Sequence, residues 1–246
     1  FLEFGPDKIY NAANKTYGTA TMTQVLENSI NTGAAHVGLQ IGHKNLKKYA
    51  EYFGFGQKTN ITLPAEASGT LSSLNQKGDI YLATASYGQG IMVTPIQLAV
   101  AYGAIANHGI LMQPQIVSEI RSVDDKIKKI EPHEIGRVIS SKTANTLKAM
   151  LVSVVKNGQG YKAGVNGYYL AGKTGTANIA DPRGGYLKNI TNHTFVGFGP
   201  VNQPKFVILV KLSKPKNVSF SSDSAAPAFA EMASFLLHYY QIPPDY

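Results

Sequence analysis

Between residues 19 and 55 apolar side chains recur every three or four positions, most clearly in Asn45-Leu46-Lys47-Lys48-Tyr49-Ala50-Glu51-Tyr52-Phe53, the spacing of one helix face. Thr21-Met22-Thr23 offers cap residues and Gly54-Phe55-Gly56 a stop, so a helical region is predicted over that span. From Gln57 to Gly78 the chain is polar and turn-rich, with room for at most a short strand at Asn60-Ile61-Thr62-Leu63. Thr94-Pro95 places a cap before a proline at the first helical position, and a small-residue helix is predicted from Ile96 to Asn107, ending near Gly109. Gln115 to Ile120 reads as a strand and Asp124 to Glu131 as an exposed charged turn or strand end. Ser140-Ser141 caps a second helix through about Lys156, with Gly158 beyond its end. The period then changes. Tyr168–Ala171, His193–Phe198 and Lys205–Leu212 read as strands, and the gap Gly199–Pro204 is too short for a crossover helix, so an antiparallel hairpin is expected there. A closing helix is predicted from about Ser224 to Tyr240, with Ala225, Phe229, Met232, Ala233, Leu236 and Leu237 available to cover a sheet face. The pattern is that of an α/β protein of the α+β type, an antiparallel sheet packed between helices. It divides into a helical lobe at about 19–157 and a strand-rich part with its closing helix at about 165–246, all within one domain.

Composition narrows the function classes. The 246 residues are 43% hydrophobic and 15% charged, enough for a real core and unlike a disordered, collagen-like or coiled-coil chain. No run of 18 apolar residues occurs, and Phe1-Leu2-Glu3-Phe4-Gly5-Pro6 has no basic stretch followed by an apolar one. No membrane span or signal peptide is therefore expected within the sequence, and any anchor lies outside it. Cysteine is absent, which excludes a disulfide scaffold, a thiolate metal site and a cysteine nucleophile. Lys and Arg exceed Asp and Glu by 23 to 15, a formal net charge of +8, which favours anionic partners or surfaces. Only three of those cations are Arg, and no aromatic-interleaved basic patch exists, so a solvated basic surface is expected and no nucleic acid. The six histidines lack ligand spacing and no glycine-rich loop precedes Lys-Ser/Thr, so neither a metal nor any other cofactor is expected.

The informative segment is Ala171-Gly172-Lys173-Thr174-Gly175-Thr176-Ala177. A lysine, two hydroxyls and small residues on or just after a strand suit an edge that pairs with an extended peptide while Lys173, Thr174 and Thr176 converge on a carboxylate. The bland reading is a glycine-containing strand with a solvated lysine. Around that segment the chain resembles the transpeptidase domain of class B penicillin-binding proteins, the D,D-transpeptidases of cell-wall synthesis. The stretches Ala85-Ser86-Tyr87-Gly88-Gln89-Gly90-Ile91-Met92-Val93-Thr94-Pro95-Ile96-Gln97-Leu98-Ala99, Phe195-Val196-Gly197-Phe198-Gly199-Pro200 and Ala225-Ala226-Pro227-Ala228-Phe229 carry the resemblance, which covers nearly the whole chain. The Gln-Gly-x-x-Val-Thr-Pro helix entry is the most diagnostic of them, because no catalytic logic would make unrelated proteins converge on it.

The family's Ser-x-Asn motif has two candidates, Ser29-Ile30-Asn31 and Ser73-Leu74-Asn75. The context of Ser29 resembles the family's segment between two helices, whereas Ser73 lies in the turn-rich connection and is expected to be a surface loop residue. The third motif, Ser-x-x-Lys, supplies the acylated serine and precedes Ser-x-Asn by several dozen residues in the family, but no serine occurs among the 28 residues before Ser29. Ser153-Val154-Val155-Lys156 and Ser213-Lys214-Pro215-Lys216 match its letters and are read as decoys. Sixteen serines and twenty lysines make about one such match expected by chance. Pro215 breaks any helix after Ser213, and Ser153 lies late in a helix, where the dipole opposes a developing anion.

What the resemblance implies is a serine acyltransferase fold, related to serine beta-lactamases and incomplete at the N-terminus. Its substrates would be peptidoglycan stem peptides ending in D-Ala-D-Ala, with beta-lactams as mimics and cell-wall synthesis proteins as partners. Ser29 would relay a proton to the leaving amine and Asn31 would bind a substrate carbonyl. Lys173 and Thr174 would supply electrostatics, while Gly175 and Thr176 belong to the substrate-binding edge, Thr176 binding the carboxylate and completing the oxyanion hole. The nucleophile would come from a missing N-terminal segment or second chain, and Lys205–Leu212 would keep an unpaired edge. The implied location is the bacterial periplasm or outer face of the cytoplasmic membrane. A binding module without activity and a class D beta-lactamase or sensor relative stay open as alternatives.

Overall fold

The structure, a computed structural model, describes residues 1–246. The chain opens with an antiparallel hairpin, β1 (Leu2–Phe4) and β2 (Asp7–Ile9), which places Leu2 opposite Ile9. Three-residue strands carry too little alternation to be read from sequence. Ile9 alone of the pair is buried, against Ala35 and Ala83. The predicted helical region resolves into three helices, α1 (Met22–Glu27), α2 (Asn31–Ile41) and α3 (His43–Tyr52). Thr21 and Gln24 form a reciprocal capping box at the start of α1. The breaks fall at Ser29, φ +52°, and Gly42, φ +79°.

No strand forms at 60–63; a 3₁₀ turn, Ser72–Asn75, and α4 (Asp79–Ser86) follow. Helix α4 was not anticipated because its cap position is Gly78, which has no side chain to cap with. Helix α5 (Pro95–Ala106) starts as predicted, with Thr94 and Gln97 exchanging cap bonds. Of the predicted strand 115–120 only the end forms, as β4 (Glu119–Arg121), paired with β5 (Ile127–Lys129). A second small ladder joins β3 (Ile110–Met112) to β6 (Glu134–Arg137). Helix α6 (Ser141–Asn157) is capped by Ser140, whose hydroxyl accepts from the Thr143 N–H at 3.1 Å.

The main sheet is antiparallel, in the order β7-β8-β9, from β7 (Ala171–Ala180), β8 (Tyr186–Gly199) and β9 (Phe206–Ser213). The predicted strand at Tyr168–Ala171 is displaced: β7 begins only at Ala171. Tyr168 and Tyr169 are held by the C-terminal tail instead, the Tyr168 hydroxyl donating to the Ile242 carbonyl at 2.7 Å and the Tyr169 N–H to Asp245 at 2.7 Å. Helix α7 (Ala225–Tyr239) covers one face through Phe229, Ala233 and Leu237, packed with Leu170, Phe195 and Ile208. Leu236 is partly buried there, but Met232 is 49% exposed and does not cover the sheet. It lies about 60° around the helix from Phe229, on the side away from Ala233 and Leu237, and so falls outside the buried stripe. Helices α5 and α6 pack on the strands as well, and Ala106 and Leu151 meet Ala171 and Phe198. The outer edge of β9 is unpaired, as expected, and so is the outer edge of β7. No helix is long and apolar enough to cross a membrane.

Candidate active site

Lys173 is the third residue of β7, opposite Val196 of β8 and next to the free strand edge. Its ammonium donates to three neutral oxygens: Ser29 Oγ at 3.0 Å, the Thr174 carbonyl at 3.1 Å and Thr174 Oγ1 at 3.1 Å. No carboxylate lies within ion-pairing distance of it. With no opposite charge to offset it, burial governs, and the amine is pushed down to about 8. An amine so placed exchanges protons readily near neutral pH.

Ser29 reaches Lys173 across 144 residues of sequence, and the packing shows how. The turn between α1 and α2 is anchored by Ile30, 3% exposed, whose N–H donates to the Val25 carbonyl at 2.9 Å. That leaves Ser29 exposed in the left-handed region, a conformation uncommon outside glycine and one that collects at functional sites. Helix α1 is fixed to the end of α6. Ser153 donates to the Glu27 carboxylate, and the Gln159 N–H donates to the Glu27 carbonyl at 2.8 Å. Gly158 lies so close that a Cβ there would be 2.5 Å from that carbonyl oxygen. Since α6 also packs on β7, the turn carrying Ser29 arrives beside Lys173.

Asn31 opens α2 two residues further on. Its amide donates to the Tyr10 carbonyl at 2.9 Å and makes no hydrogen bond to Lys173. Because Ile30 has no side chain to cap α2, Asn11 does so from a distance, accepting from the Thr32 N–H at 3.0 Å and the Thr32 hydroxyl at 3.1 Å. Gly175 has room for a Cβ, whose nearest neighbour would be Thr194 at 3.6 Å; Gly172 has none, with the Phe195 ring at 2.6 Å. The fold thus requires Gly172, while Gly175 leaves the strand surface open. Thr176 is tied to Ser221 by two hydrogen bonds, its hydroxyl donating to Ser221 Oγ at 3.0 Å and accepting from the Ser221 N–H at 3.1 Å. Ser221 carries no sequence signal, since it is one serine in Ser219-Phe220-Ser221-Ser222-Asp223-Ser224.

Ser73 is not the surface residue expected: its hydroxyl is buried without a partner, facing Gly90. Ser153 is engaged with Glu27 and accepts from Asn157 at 3.0 Å, while the Lys156 ammonium lies 5.6 Å from the Tyr169 ring centroid. Ser213 ends β9, opposite Asn192. Neither serine is bonded to a lysine.

Residues 2–234 match the family described as the penicillin binding protein transpeptidase domain. Stage V sporulation protein D of Bacillus subtilis is 41% identical over 214 residues, 86% of this chain and 33% of that protein. Penicillin-binding protein PbpB of Mycolicibacterium smegmatis is 34% identical, over 99% of this chain and 40% of its own length. The chain therefore spans between a third and two-fifths of these curated relatives. Among solved structures, penicillin-binding protein 3 of Mycobacterium tuberculosis in complex with aztreonam superposes with a TM-score of 0.90 at 31% identity, over all of this chain and 57% of that one. The transpeptidase domain of penicillin-binding protein 3 from Burkholderia pseudomallei gives 0.82 at 32% identity, over 94% of this chain and 67% of its own. With 233 consecutive residues matched, a free strand edge and a half-buried lysine bonded to Ser29, the chain belongs to the penicillin-binding protein transpeptidase family.

Proposed function

We propose that residues 1–246 form the substrate-holding part of a peptidoglycan D,D-transpeptidase, which cross-links D-Ala-D-Ala stem peptides through an acyl-serine supplied from outside these residues. One observation carries this reading: the Lys173 ammonium, low in pKa and without a counter-charge, joins Ser29 and Thr174 beside an unpaired strand edge. An extended donor peptide adds to that edge of β7 by main-chain hydrogen bonds. Lys173 with Thr174 stabilises negative charge and completes a proton path to Ser29, which delivers the proton to the departing amine. Asn31 spends one amide hydrogen on Tyr10 and keeps the second for a substrate carbonyl. Gly175 lets the peptide approach, Thr176 binds the terminal carboxylate, and the Thr176 N–H is one half of an oxyanion hole. Beta-lactams occupy the same groove as donor mimics. The complete protein works outside the cytoplasm, at the membrane's outer face or in the periplasm, with other cell-wall synthesis proteins. The free edge of β9 takes a strand from the polypeptide that carries the nucleophile.

Intact-mass measurement after incubation with benzylpenicillin tests this. The 246-residue chain should gain no mass. A polypeptide from the same gene that extends beyond Phe1 should gain one drug, on a serine outside residues 1–246, and Lys173→Ala should slow that gain by orders of magnitude. A one-drug adduct on the 246-residue chain alone, abolished by Ser153→Ala, would refute the assignment. Failure of the extended polypeptide to acylate leaves a binding module in place of an enzyme.

A further inference from the structure

The 3₁₀ turn Ser221–Asp223 stands beside β7 and is fastened at three points. Asp223 pairs with Lys162 at 2.8 Å. Ser224 Oγ lies 2.8 Å from Nδ1 of His193, a ring that is fully buried and whose Nε2 is 2.9 Å from Thr191 Oγ1. Ser221, 1% exposed, makes the third tie, and His193 stands opposite Thr176 in the strand register. The turn is therefore a rigid wall, and Ser221 is the part of it that addresses the groove.

Ser221 holds the Thr176 hydroxyl at two of its three hydrogen-bonding positions. Its N–H occupies one lone pair and its Oγ takes the proton, while its own hydroxyl proton has no other acceptor within hydrogen-bond distance. A carboxylate only accepts. When one arrives, the Thr176 proton must swing from Ser221 to the ligand, and the Ser221 hydroxyl can then turn to donate into the Thr176 oxygen. A hydroxyl that accepts a hydrogen bond donates a stronger one.

We propose that Ser221 is a positioning residue that aims and strengthens the Thr176 hydroxyl, and so determines how tightly the groove holds a ligand carboxylate. The inference rests on the reading of Thr176 as the carboxylate contact. Benzylpenicillin and its methyl ester differ only in whether that carboxylate is free, so their equilibrium binding to the 246-residue chain, followed by ligand-observed NMR, isolates the effect. The unaltered chain should prefer the acid. Ser221→Ala keeps the backbone N–H on Thr176 and removes the hydroxyl, and should weaken the acid about three- to tenfold, the effect of one net hydrogen bond, with the ester unchanged. In a Thr176→Val background the same substitution should do nothing further. Equal losses for acid and ester in Ser221→Ala, or a preference left intact, would overturn the role assigned to Ser221. No preference for the acid in the unaltered chain would instead remove the carboxylate reading of the groove.

Discussion

Gly158 joins the end of α6 to the turn that bears Ser29, and Gly158→Ala tests that joint. An ideal Cβ would sit 2.5 Å from the Glu27 carbonyl oxygen, 2.7 Å from its Cα and 2.9 Å from its carbonyl carbon. All three are backbone atoms and none can rotate aside, so the contact is relieved only by moving α1 and α6 apart by roughly an ångström, toward ordinary packing distance. The glycine's own conformation is not the obstacle: φ −115° and ψ −159° lie in extended space open to alanine. Removing glycine's freedom in the unfolded chain favours the variant by about 0.4–1 kcal/mol, whereas overpacking disfavours it by about 1–3 kcal/mol. The clash wins over nearly all of these ranges, with a net loss of up to about 2.6 kcal/mol and about 1.3 kcal/mol at mid-range. For a chain of this size the mid-range loss lowers the thermal midpoint by about 3–5 °C. Gly103→Ala is the matched control. It sits inside α5, where a Cβ meets nothing within 4 Å, and should stabilise by up to about 1 kcal/mol. Calorimetry reads both, and NMR of the Lys173 side chain reads whether Ser29 has moved away from it. A Gly158→Ala variant as stable as the parent, with the Lys173 resonance unshifted, refutes the claim that this contact positions Ser29.

Three further outcomes are expected. The Lys173 amine should titrate at about 8 in side-chain NMR; since a folded-state value below the ordinary 10.5 means the unfolded chain binds more protons, stability should rise between about pH 8 and 10.5, and Lys173→Met should flatten that rise. Phe229, fully buried against Phe195 at 4.7 Å between ring centroids, should lose about 3–5 kcal/mol as Phe229→Ala, whereas exposed Met232→Lys should change stability by less than about 0.5 kcal/mol in denaturant titration. The free edge of β9 should make the chain associate as concentration rises, and Val210→Lys should suppress this in light scattering; a chain that stays monomeric at high concentration with Val210 in place argues against an accessible edge.

Elements with their own punctuation were legible in the sequence. Thr94-Pro95 and Ser140 announce α5 and α6 because a local side chain satisfies the first orphan N–H groups. Helices whose caps come from elsewhere were not: α4 starts behind Gly78, and α2 borrows Asn11, so apolar spacing alone merges the helices over 19–55 and only the resemblance marks the break at Ser29. Strand limits failed for a related reason. The backbone of Tyr169 is claimed by Asp245, a contact 76 residues away. At the site, Lys173, Thr174, Gly175 and Thr176 are contiguous and announce themselves. Ser29 was separable from Ser73 only through resemblance, and Ser221 had no signal, because its role depends on a strand 45 residues earlier.

The 144 residues between Ser29 and Lys173 also govern when the site exists during folding. The β7–β8–β9 meander closes through near neighbours, whereas the Lys173–Ser29 contact closes the longest loop described here, and long loops close late. Lys173 owes its low pKa to burial alone. In the unfolded chain the lysine sits in water as an ordinary protonated amine, and it exchanges protons near neutral pH only where the fold closes around it. The lowered value is thus itself a report on folding at this position.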